Sequence, residues 1–115
     1  MKTWFKMKLI PQANASSHAE IHIFDEIGFF GIDAKGFKDE LDKLNLSDVS
    51  NVKLLLNSPG GSVFDGVAIY NMLSDYRDKL TVEVEGVAAS IASIIALAGN
   101  MVVDRDWETH SHRDY

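Results

Sequence analysis

The sequence predicts an α/β domain built on a mainly parallel sheet. Two observations carry that expectation. Segments of strand periodicity and segments of helical periodicity alternate through the middle of the chain, and turn-forming residues fall between them. Such alternation implies right-handed β-α-β crossovers. In sheets of this kind, sites form where loops leave the carboxyl ends of the strands.

Taken in order, residues 1–17 read as a leader of mixed character that ends in the polar run Asn14-Ala15-Ser16-Ser17. Glu20-Ile21-His22-Ile23 alternates polar and apolar, as a half-buried strand does. Gly28 and Gly31 bracket Phe29-Phe30, which predicts a turn with exposed or partner-facing aromatics. Asp33 is placed to cap a helix over about residues 34–44, where Ala34, Phe37, Leu41 and Leu44 form one apolar stripe. The apolar residues of Val52–Leu56 are read as one run, which predicts a strand buried on both faces. Ser62 is placed to cap a second helix reaching Tyr76, with Val63, Val67, Tyr70 and Leu73 along one face. Leu80–Glu85 alternates as a strand, Ala88–Ala98 reads as a buried helix, and Met101-Val102-Val103 begins another strand.

Composition narrows the function. A chain of 115 residues suffices for one domain with one core. Residues 1–103 are expected to be that domain, and 104–115 a polar tail outside it. A net charge of −6 argues against a general nucleic-acid binder. Without cysteine there is no thiolate catalysis, no disulfide and no cysteine-based zinc site, which fits a cytoplasmic setting. The N-terminal charges have no apolar segment behind them, so no signal peptide is expected. The longest apolar stretch, Val87–Ala98, falls short of the roughly 20 residues of a membrane span.

Two segments at strand ends carry the chemistry. Asn57-Ser58-Pro59-Gly60-Gly61-Ser62-Val63 follows a strand and opens a helix. Its proline fixes φ and its glycines reach conformations closed to other residues, so the turn can aim N–H groups into a cleft. By itself it is equally an ordinary strand-to-helix turn, and the spacings of a phosphate-binding glycine loop are missing. Gly86-Val87-Ala88-Ala89-Ser90-Ile91-Ala92-Ser93 places a serine among small residues at the start of a helix, where free N–H groups and the helix dipole favour negative charge. By itself it is equally close helix packing. Acyl transfer needs a nucleophile and two backbone donors converging on one point, and the pair of segments can supply them.

Together these two segments resemble the ClpP-like serine peptidases. The run Ser62-Val63-Phe64-Asp65-Gly66-Val67-Ala68-Ile69-Tyr70-Asn71 and the segment Glu26–Ile32 look closest to the phage head maturation (prohead) protease branch. The resemblance covers about residues 19–103. It implies a ClpP/crotonase-like fold of repeated ββα units, here C-terminally incomplete. It also implies Ser90 as the nucleophile and the backbone N–H groups of Gly61 and Ile91 as the oxyanion hole. The implied substrates are protein or peptide bonds, in phage scaffold or capsid proteins, acted on in the host cytoplasm or the procapsid. A homo-oligomeric ring is implied, with no cofactor and no metal.

In that family the catalytic histidine ends a further apolar strand, and the aspartate comes later. Here Asp104–Tyr115 lacks such a strand. His110 and His112 are the available bases, though they read as part of the polar tail; Asp104, Asp106 and Asp114 are the available carboxylates. The two tail histidines lack a third ligand for a metal, and His22 is expected to be solvated on the polar face of its strand. The chain thus resembles the N-terminal part of such a protease, whose open sheet edge predicts self-association or aggregation. The alternatives are an assembly subunit that has lost its triad and a crotonase-type acyl-CoA enzyme. The second has no need of a serine at position 90, so the paired motifs argue against it.

Overall fold

A computed structural model describes residues 5–12, 15–28 and 34–104. The described elements are β1 (Phe5–Gln12), β2 (Ala15–Phe24), α1 (Ala34–Leu44), β3 (Asn51–Ser58), α2 (Val63–Ser74), β4 (Leu80–Ala88), α3 (Ile91–Ala96) and β5 (Met101–Asp104). Short 3-10 turns at Leu46–Asp48 and Arg77–Lys79 lead into β3 and β4. The five strands form one sheet in the order β1-β2-β3-β4-β5. β2 through β5 run parallel, and β1 pairs antiparallel to β2 along the edge. The predicted fold class, α/β with a mainly parallel sheet, stands. The first unit is β-β-α, and the later ones are β-α.

Parallel strands in sequential order, joined by crossovers of one hand, carry all their helices on one face. The core has that form. Ala19, Val52 and Leu80 make one buried row across the strands, Ile21, Leu54 and Val82 the next, and Ile23, Leu56 and Val84 the third. α1 lays Phe37, Leu41 and Leu44 onto this side, and the Phe37 ring meets Phe5 of β1 edge-to-face at 5.2 Å. α2 packs between α1 and α3. Arg77 closes the carboxyl end of α3: its Nε donates to the Ala98 carbonyl and its Nη2 to the Leu97 carbonyl. Both carbonyls belong to the residues that directly follow the helix.

The same topology corrects four expectations. β3 is not buried on both faces; Val52, Leu54, Leu56 and Ser58 are buried while Lys53 and Leu55 are only half covered, because no described helix lies over the second face. The leader contains β1. Phe5-Lys6-Met7-Lys8-Leu9 has period two, and its lysines suit an edge strand, where charge discourages further pairing. α2 ends at Ser74 rather than Tyr76, and the face it buries is Gly66, Ile69 and Leu73; Val63 and Val67 are exposed. Gly66 leaves room for Ile91 of α3, and that contact turns the helix. α3 is also shorter than predicted, because β4 continues through Ala88. Asp33, Phe29, Phe30, Asp106, His110, His112 and Asp114 lie outside the described residues.

The open face carries paired charges beside apolar Phe24 and Leu55. Glu20 Oε1 accepts from His22 Nε2 at 2.9 Å and lies 3.5 Å from Lys8, and Lys53 meets Glu83 at 3.0 Å. His22 is therefore half-buried and bonded, not simply solvated. The bond from His22 holds the Glu20 carboxyl below its ordinary value of 4.5, partly offset by desolvation and aided by Lys8. Because the value is lower folded than unfolded, this stabilisation is fully present above 4.5 and is lost as pH falls through the folded value. The difference in Tm between wild type and Glu20→Gln, measured at about pH 7 and about pH 3, should narrow on acidification, and a constant difference would contradict the pairing.

Candidate active site

β3 and β4 end side by side, and the two motifs leave from those ends. Leu56 pairs with Val84 and Ser58 with Ala88, so a two-residue step on β3 faces a four-residue step on β4. The surplus of β4 bulges at Gly86-Val87, where Asn57 Oδ1 accepts from the Val87 N–H at 3.0 Å. Beyond the bulge the strands rejoin, and the Ala89 N–H donates to the Ser58 carbonyl at 3.1 Å. The last bond across the seam is thus made by the residue immediately before Ser90.

Ser90 is the residue before the first turn of α3, with φ 55° and ψ −131°. This conformation is costly for a side chain, by about 1–3 kcal/mol, and such strain collects at functional sites. It lifts the side chain out of the fold: Ser90 is exposed while Ile91 and Ala92 beside it are buried. The α3 turn is closed by Ala92 N–H to Ala89 O and Ser93 N–H to Ser90 O, both at 3.0 Å. The Ile91 N–H lies ahead of both bonds.

The glycine turn comes up against this serine. Gly60 has φ +109°, and a Cβ there would sit 2.8 Å from Ser90 Cβ and 3.3 Å from its Oγ. Gly61 has φ +146°, and a Cβ there would collide with the Ile27 carbonyl. Buried Ser58 holds the turn from within, its Oγ accepting from the Gly60 N–H at 3.1 Å. Ile27 holds it from the flank, its N–H donating to Gly60 O at 2.8 Å and its carbonyl accepting from Ser62 N–H at 3.1 Å. The Gly61 N–H takes part in neither bond. Sequence reasoning did not find Ser58, Asn57 or Ile27 as supports; a serine and an asparagine at the end of an apolar strand were the available signals.

Among the described residues no side chain hydrogen-bonds to Ser90 Oγ. The nearby polar contact is Ser93 Oγ, which donates to the Ser90 carbonyl at 2.6 Å. No group of three metal-binding side chains occurs among the described residues.

An exposed serine in a strained conformation at a helix start, beside a glycine turn and at the carboxyl ends of parallel strands, places the chain among α/β proteins with a site at the strand ends. The Clp protease family model matches residues 18–106, and the chain belongs to that family. It is 41% identical over 54 residues to an "ATP-dependent Clp protease proteolytic subunit" of Lobularia maritima. It is 43% identical over 49 residues to the subunit of the same name from Ligilactobacillus salivarius (strain UCC118). These matches take in 47% and 43% of this chain but only 28% and 25% of the relatives, so the chain matches about a quarter of their length. The fold is also that of the ClpP protease catalytic domain from Plasmodium falciparum, with a TM-score of 0.57 at 24% identity, over 78% of this chain and 57% of that one.

The strain at position 90 can be measured directly. Glycine tolerates φ 55° where alanine does not, so Ser90→Gly should unfold at higher denaturant than Ser90→Ala, by about 1–2 kcal/mol. Equal stabilities would mean that position 90 relaxes to an unstrained conformation.

Proposed function

We propose that this chain carries the nucleophile and oxyanion-binding half of a Clp-type serine endopeptidase. Ser90 is the nucleophile, and the N–H groups of Gly61 and Ile91 are the oxyanion donors. The observation that carries this reading is the contact between the Gly60-Gly61 turn and a serine held out of the fold at φ 55°.

In this mechanism Ser90 Oγ attacks the carbonyl carbon of a peptide bond and gives up its proton to a base. The carbonyl oxygen becomes an oxyanion, which accepts hydrogen bonds from the two backbone donors. Removing one such donor in a comparable site costs about 3–4 kcal/mol of transition-state stabilisation. The intermediate then collapses to an acyl-Ser90 ester, and the amine leaves with the proton. Water hydrolyses the ester and restores the serine. His110 and His112 are the proposed bases within the chain, and a neighbouring copy is another source.

Family members named as proteolytic subunits act on proteins, and protein substrates are proposed here. Scaffold or capsid proteins of a phage head are the narrower proposal, supported by the residues of the Ser62–Asn71 run. The site then works in a host cytoplasm or procapsid. Self-association is part of the same reading. Val63, Phe64 and Val67 on α2, with Ile94 on α3 and Leu97 just after it, leave an apolar surface exposed, and Phe64 is 89% accessible. An apolar area of this kind marks an interaction surface.

A second reading has its own observation: no described side chain bonds to Ser90 Oγ, as expected of an assembly subunit without a base. Treatment with a fluorophosphonate, followed by intact mass and peptide mapping, separates the two. The peptidase reading predicts one adduct, at Ser90, abolished in Ser90→Ala, on a species heavier than a monomer by light scattering. A folded sample that stays unlabelled would transfer the conclusion to the assembly subunit, and a monomer would remove the self-association claim.

A further inference from the structure

The Gly61 donor is only as well aimed as the turn that carries it, and that turn is braced from its flank by Ile27. The brace belongs to a short segment that follows β2. Asp25 N–H bonds the Asn57 carbonyl at 3.0 Å, Ile27 is buried and bonds both Gly60 and Ser62, and Gly28 turns away with φ +76°. At the exit of this segment stands Asp65. A Cβ on Gly28 would lie 2.6 Å from Asp65 Oδ2 and 3.0 Å from Ser62 Cβ, so the segment rests directly on these two side chains.

Asp65 joins three parts of the chain. Its backbone N–H donates to Ser62 Oγ at 3.2 Å, which fixes the first turn of α2 directly after Gly61. Its Oδ1 accepts from the Ala34 N–H at 3.0 Å, at the start of α1 and 31 residues earlier. Its Oδ2 is the wall against Gly28. One carboxylate thus lies at the amino ends of two helices, where negative charge is favoured. Its second oxygen stands against Gly28, at the end of the segment that braces the glycine turn.

We infer that Asp65 is a positioning residue for the Gly61 N–H: it holds the end of the Asp25–Gly28 segment against the start of α2 while capping α1, and through Ile27 keeps the oxyanion turn in register with Ser90. Its connection to chemistry rests on the peptidase reading above; its mechanical part does not. Asparagine keeps an acceptor at Oδ1 and should suffice. Alanine leaves the Ala34 N–H and the Gly28 turn without their partner. Glutamate keeps the charge but moves the acceptor one carbon further, into space Gly28 does not leave.

The test is amide-resolved hydrogen exchange by NMR on the full chain, wild type against Asp65→Ala, Asp65→Asn and Asp65→Glu. Exchange at Ile27, Ser62 and Ala34 should accelerate about tenfold in Asp65→Ala, the size expected for a lost helix cap, and stay near wild type in Asp65→Asn. Leu54 and Val82, in the middle of the sheet, should keep their protection. Asp65→Glu should behave as Asp65→Ala, and decides the matter if alanine does not fold. Acceleration confined to Ala34 would reduce Asp65 to a cap of α1 and overturn the proposal, as would wild-type protection in Asp65→Glu. In parallel, the maximal rate of Ser90 phosphonylation should fall in Asp65→Ala with little change in the probe concentration at half-maximal rate, and recover in Asp65→Asn. A wild-type serine that does not react counts against the peptidase reading alone, and the exchange pattern still decides the positioning role.

Discussion

The bond from the Ala89 amide to the Ser58 carbonyl is the constraint on which the site depends. It rejoins β3 and β4 beyond the bulge at Gly86-Val87, one residue before Ser90 and two before Gly60. Parallel strands deliver their carboxyl ends to the same edge, so two loops from distant parts of the sequence emerge together. The seam then sets their mutual height. Asn57 closes the bulge with its side chain, Ser58 closes the turn with its hydroxyl, and Gly60 lets the turn lie against Ser90 without a side chain between them. The strained Ser90 stands between that seam and Ile91, which packs beside Gly66.

A one-sided sheet explains much of the remainder. With strands in sequential order, the helices collect on one face and the other is left to paired charges such as Lys53–Glu83 and His22–Glu20. The core is then a single layer of three rows under three helices. The described α3 is short, and Arg77 braces the turn that follows it by donating to the Leu97 and Ala98 carbonyls. Apolar side chains on the outer sides of α2 and α3 have no cover within the described residues, which suits a domain that meets other surfaces there.

Legibility in the sequence followed how one-sided each pattern was. α1 was readable to the residue because Phe37, Leu41 and Leu44 stand against a charged opposite face. α2 was found, but not its orientation: with Val63, Val67, Ile69, Tyr70 and Leu73 it is apolar on several sides, and the deciding contact, Gly66 against Ile91, is tertiary. β1 was passed over because its lysines resembled a charged leader, although Phe5, Met7 and Leu9 already alternate. The two motifs were legible as a pair because turn chemistry and a small-residue helix start are both local. Their supports were not. Ile27 and Asp65 act through contacts that no periodicity encodes, and the bulge in β4 appears only once its partner strand is in register.

A crystal structure of the fluorophosphonate adduct would show whether two backbone donors converge beside Ser90. Convergence places phosphorus on Ser90 Oγ, with one phosphonyl oxygen about 2.7–3.1 Å from both the Gly61 and the Ile91 nitrogen. An adduct whose oxygen points to solvent, or a Gly61 amide turned away from it, would mean that Ser90 has no oxyanion hole of this kind.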